Sequence, residues 1–73
     1  MEFRWNRWNV DHIAKHGVTP AEAEHVIRFS KRHRNHREGT KMVEGRGNSN
    51  RRIRVVYARD PEGTIYVIHA MPF

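Results

Sequence analysis

Apolar positions in this chain change their spacing once. Up to residue 29 they recur at helical intervals, and from residue 41 onward they alternate. Phe3-Arg4-Trp5 is a short strand candidate, two aromatics flanking a cation. Asn6 or Asn9 can cap a helix that carries Val10, Ile13 and Ala14 on one side. Gly17 then ends it, because glycine accepts the left-handed conformation of a helix C-cap. Thr19-Pro20-Ala21-Glu22 is the clearest local signal: an N-cap, a proline at the first helical position and a capping-box glutamate. Val18 and Ala23 stand where a hydrophobic staple would, and Ala23, Val26 and Ile27 form a stripe. The spacing predicts a helix from Pro20 to about Phe29.

The second half reads as strands. Lys41-Met42-Val43-Glu44 is a modest one, followed by the loop Gly45-Arg46-Gly47-Asn48-Ser49-Asn50. Arg52 to Tyr57 alternates basic and apolar residues, as a half-buried strand does. Asp60-Pro61-Glu62-Gly63 is a turn in which proline presets the second position and glycine accepts a positive φ. Thr64 to Ala70 is the strongest strand. The expected fold is α+β in a single domain spanning 1–73, with two N-terminal helices on one face of a small twisted antiparallel sheet, in the order β-α-α-β-β-β. The other face stays open. In the last hairpin two registers compete. A type I turn with a glycine bulge places His69 opposite Val55, on the face of Ile53 and Tyr57. A four-residue loop slips the pairing by one and moves His69 to the face of Arg52 and Arg54.

Charge changes the picture most. Lysine and arginine number 14 against 8 acidic residues, a net charge of +6. Ten of those cations, with only Glu38 and Glu44 against them, lie between Arg28 and Arg54, so a near-neutral scaffold carries one basic band. Most of the cations are arginine, whose planar fork suits phosphate. A polyanion is the implied partner, a nucleic acid first or an acidic protein that imitates one. Cysteine is absent, which excludes disulfides, thiolate catalysis and cysteine-based zinc sites and fits a reducing cytosol. The start, MEFRWNRW, offers no apolar signal stretch, and no apolar run approaches a membrane span. A cytoplasmic protein without membrane partners is expected.

Six histidines invite a metal reading, but His12/His16 and His33/His36 have no third ligand at motif spacing, so no metal is expected. His12 and His16 suit a helix end, where a cation meets the negative dipole. Trp5 and Trp8 read as core packing, and Tyr66 as either packing or a base-stacking ring. Ser30 and Ser49 lie in no nucleophile motif. RNA cleavage by the substrate's own 2′-hydroxyl needs only a base, an acid and cations for the phosphorane charge. The chain has those parts, but a non-catalytic basic binding module has the same composition.

Phe3-Arg4-Trp5, Asn9 to Lys15-His16-Gly17-Val18, Glu22-Ala23, Val26, Gly45-Arg46, Val55-Val56-Tyr57 and the final Ile-Tyr-Val-Ile-His-Ala strand resemble the BrnT family. These are small ribonuclease toxins of type II toxin–antitoxin modules with a RelE-like fold. The resemblance implies a bacterial cytosolic endoribonuclease, neutralised by a cognate antitoxin, the pair meeting operator DNA through the antitoxin. It carries over Arg46, and Lys41 lies near a basic position of the family. The family closes its last strand with a pattern like Ile-Ser-Ala-Arg; here His69 stands for the serine and Met71 for the arginine.

The expected site follows. Arg46 and Arg54 stabilise phosphate charge, Lys41 assists, and His69 or Tyr57 transfers protons. Lys31, Arg32, Arg34, Arg37, Arg51 and Arg52 hold the RNA, and no cofactor is required. The alternative expectation is a basic module that binds nucleic acid or an antitoxin without catalysis.

Overall fold

A computed structural model describes all 73 residues. Eight short elements follow one another: strand β1 (Phe3–Arg4), helices α1 (Arg7–Ala14) and α2 (Pro20–Phe29), strand β2 (His33–Asn35), a 3-10 turn (Arg37–Gly39), and strands β3 (Lys41–Arg46), β4 (Arg52–Arg59) and β5 (Ile65–Pro72). The α+β class and the two N-terminal helices are as expected. The sheet differs: it has five strands in the order β1-β5-β4-β3-β2, and β1 runs parallel to β5, so it is mixed rather than antiparallel. The extra strand, β2, pairs with β3 from His33 to Asn35.

Both helices form where their caps dictate. Asn6 and Asn9 exchange side-chain and backbone hydrogen bonds at the start of α1. At its end Val18 N–H donates to Ile13 O and Gly17 N–H to Ala14 O, the two bonds of a Schellman motif, with Gly17 at φ 73°. Thr19 and Glu22 close the capping box of α2. Buried Asn9 also donates through Nδ2 to Arg4 O, tying α1 to β1.

One face of the sheet presents Val43, Ile53, Val55, Tyr57, Ile65, Val67 and Ala70, which form the core with Ile13, Val18, Ala23, Val26 and Ile27. Helix α2 lies over β3 and β4, and α1 against β5. Gly45 stands beside the end of α2, and a Cβ there would overlap the side chain of its C-cap, Ser30. Trp5 packs at the core's edge, its indole N–H donating to Glu24. Trp8 does not join the core; it is 55% exposed.

The last hairpin combines both competing registers. Near the turn Arg59 pairs with Ile65 and Tyr57 with Val67, the spacing of the glycine-bulged turn, with Gly63 at φ 91°. A bulge at Ile68 then slips the pairing by one, so Val56 faces His69 and Val55 faces Ala70. The slip keeps small Ala70 in the core and turns His69 to the face of Arg52 and Arg54, where it packs against α1 along β5.

Candidate functional site

Alternation along the strands divides the expected site between two faces. Lys41 pairs with Tyr57 on the helix-bearing face, whereas Arg46 pairs with Arg52, and Arg54 with Met71, on the open face beside His69. The five residues expected to act together are not brought together. A sheet one backbone thick stands between Tyr57 and Lys41 on one side and Arg46, Arg54 and His69 on the other.

On the helix-bearing side the end of α2, β2, β3 and β4 enclose a cleft of about 440 Å³, lined by Met1, Ile27, Arg28, Ser30, His33, Lys41, Tyr57 and Arg59. The Tyr57 ring lies in the core, 2% exposed, but its hydroxyl reaches the cleft and lies 2.7 Å from Nδ1 of His33. The other ring nitrogen, Nε2, lies 3.0 Å from Ser30 O. A carbonyl oxygen only accepts, so Nε2 carries a proton. In the neutral ring Nδ1 then accepts from the Tyr57 O–H. Burial pushes the Tyr57 pKa above its ordinary 10.0, against the opposing pull of Arg59, so the phenol keeps its proton at neutral pH. Lys41 is exposed at the cleft's edge and donates to Asn35 Oδ1 at 2.8 Å. Arg28 pairs loosely with Glu24 at 3.6 Å and lies over the Phe3 ring.

The open face is basic but partly self-neutralised. Glu44 takes Arg54 at 2.6 Å and Arg34 at 3.5 Å, and the Arg52 and Arg54 guanidiniums lie over the Phe73 ring. Arg46 folds back to donate to Asn50 O at 2.8 Å. His69 packs against His12 and His16 of α1, ring centroids 5.7 and 5.0 Å away. Burial lowers its pKa below 6.5, and His16, His12 and Arg54 push the same way. Three imidazoles thus meet where sequence spacing had offered pairs, yet no three His, Asp or Glu side chains are arranged to hold a metal ion.

Among the expected RNA contacts, Lys31, Arg32 and Arg37 are exposed and enter no ion pair, and Arg52 meets only Phe73. Arg51 is different. It donates to both carboxylate oxygens of buried Glu22, through Nε at 2.9 Å and Nη2 at 2.8 Å, and to Gly17 O. It anchors the β3–β4 loop to α2, and the Glu22 carboxylate offsets its charge.

Sequence reasoning missed His33 and Arg59 as site residues. Arg59 shares the strand face of Tyr57 two positions on, a signal that was there to be read. His33 carried no comparable mark, because only the pairing of β2 with β3 brings it to Tyr57. The chain matches no protein-family model, and no curated protein or solved structure is significantly similar to it.

Proposed function

We propose that the protein is a metal-independent endoribonuclease whose centre is the His33–Tyr57 cleft. The observation that carries this reading is the imidazole–phenol hydrogen bond of 2.7 Å in a cleft edged by Lys41, Arg28 and Arg59. The raised Tyr57 pKa leaves no free phenolate to act as base. The phenol oxygen takes the proton of an RNA 2′-hydroxyl as its own proton passes to Nδ1 of His33. The 2′-oxygen then bonds to phosphorus, Arg28 and Arg59 balance the phosphorane charge, and Lys41 gives a proton to the departing 5′-oxygen. The products are a 2′,3′-cyclic phosphate and a 5′-hydroxyl.

Tyr57 keeps the proton-transfer role expected of it, while Lys41 changes from assisting with phosphate charge to giving the proton. Arg46, Arg54 and His69, on the other face, become binding or packing residues. The resemblance to the BrnT family supports placing this activity in a toxin with a RelE-like fold, bacterial and cytoplasmic, held by a cognate antitoxin that carries it to operator DNA. No helix is long and apolar enough to cross a membrane. Purified protein incubated with structureless RNA in a chelator should release fragments ending in 2′,3′-cyclic phosphate. Fragments with 3′-hydroxyl ends, or cleavage abolished by the chelator, contradict the mechanism. RNA bound but uncut supports instead the second reading, a basic binding module, which the exposed and unpaired Lys31, Arg32 and Arg37 favour.

A further inference from the structure

We propose that the outward face of α1 is a subsite for one unstacked guanine base of a single-stranded RNA, with Trp8 as platform and Asp11 reading the base edge. The inference rests on the RNA reading above and extends it to a surface the catalytic cleft does not use. Trp8 leaves 55% of its area in water, a cost for so large an apolar ring. It is not loose there. Its ring lies 4.9 Å from that of His12 at an interplanar angle of 6°, and 6.4 Å from Tyr66 at 19°. Tyr66 in turn donates to Asn6 Oδ1 at 3.3 Å, at the cap of the same helix. A rigid exposed aromatic has already lost the freedom that binding would otherwise remove.

The surroundings specify the ligand. Arg7, Asp11, His12 and Lys15 complete with Trp8 a groove of about 460 Å³. Arg7 and Lys15 form no ion pair within the chain, which leaves both free for phosphates on either side of a stacked base. Asp11 is also unpaired. A carboxylate between two cations repels phosphate, but its two acceptor oxygens match the adjacent N–H donors on the Watson–Crick edge of guanine. Adenine and cytosine offer it one amino group each, and uracil a single ring N–H. A duplex hides that edge and the base face together, so the groove selects single strands.

The probe is a short 2′-O-methyl oligonucleotide, which lacks the cleaving nucleophile and separates binding from turnover. Single-stranded guanine-containing oligonucleotide should quench the tryptophan emission of the wild-type chain, and the same sequence as a duplex should not. Trp5, bonded to Glu24 at the core's edge, supplies an unquenched background. Trp8→Ala should weaken single-strand binding roughly 5- to 150-fold, Trp8→Phe should retain most of it, and Asp11→Asn should erase the preference for guanine. Wild-type emission unmoved at saturating oligonucleotide, or wild-type affinity in a folded Trp8→Ala variant, overturns the subsite. If that variant does not fold, the wild-type quenching still decides. Cleavage of ordinary RNA with unchanged Trp8→Ala affinity defeats the subsite alone; quenching without any cleavage defeats the nuclease reading alone.

Discussion

The hydroxyl of Tyr57 and Nδ1 of His33 meet at 2.7 Å across 24 positions of sequence. Their partnership is directional, because Ser30 O holds the other ring nitrogen and leaves Nδ1 to the phenol. His33→Ala should therefore lower the maximal cleavage rate roughly 10²- to 10⁴-fold, the range for a positioned acid–base group. RNA affinity should change little. Single-turnover rates at saturating RNA, with affinity measured in parallel, check this.

Lys31, Arg32 and Arg34 are exposed at the end of α2 and on β2, and of the three only Arg34 has a carboxylate partner, Glu44 at 3.5 Å. Replacing all three with alanine should weaken RNA binding and flatten its salt dependence by up to roughly 0.7 per lost single-strand contact. The rate at saturating RNA should persist. Affinity titrated over a range of salt concentrations measures both effects, and an unmoved slope removes this band from the RNA path.

Glu22 holds the fold at one point. Its carboxylate accepts from Arg51, Ser49 and Thr19, and these bonds, Arg51 first, lower its pKa from 4.5 to about 2. The folded chain thus releases this proton more readily than the unfolded one. The stability so gained is present above pH 4.5 and lost as pH falls through about 2. Glu22→Gln should cost about 1–3 kcal/mol at neutral pH. Its Tm should fall less than the wild type's on acidification between those limits, as a thermal melt series would record.

For His69 the sign runs in the same sense from a different cause. Burial, then His16, His12 and Arg54, hold its folded pKa below 6.5. Just below that value the unfolded chain binds more protons, so stability is complete above about 6.5 and declines as pH falls through the folded value. His69→Gln should flatten the Tm profile below about pH 6.5 while leaving the cleavage rate per folded molecule within a few-fold. A large loss of rate with unchanged Tm would return His69 to the catalytic group.

What could be read in the sequence was local. Thr19, Pro20 and Glu22 announce α2 because a capping box acts over four residues, and Asp60 to Gly63 announce the turn for the same reason. Strand β2 stayed hidden because His33-Arg34-Asn35 has no apolar alternation; as an edge strand it is held by pairing with β3. The parallel contact of β1 with β5 joins residues some sixty positions apart, which no pattern along the chain encodes. The bulge at Ile68 decided the face of His69, and two sound turn readings could not foresee it. The candidate site suffered most: Lys41 and Tyr57 were recognisable by type, but their partner His33 emerges only when β2, β3 and β4 lie side by side.

If the Tyr57 phenol moves a proton in RNA cleavage, Tyr57→Phe removes the group responsible. The variant loses one oxygen and keeps the ring that fills the core. Single-turnover cleavage of one RNA substrate, with Tm and affinity taken on the same preparation, is the measurement. The expected result is a rate lowered by about 10²-fold or more, affinity unchanged and Tm close to that of the wild type. A folded Tyr57→Phe variant that cleaves at the wild-type rate contradicts it.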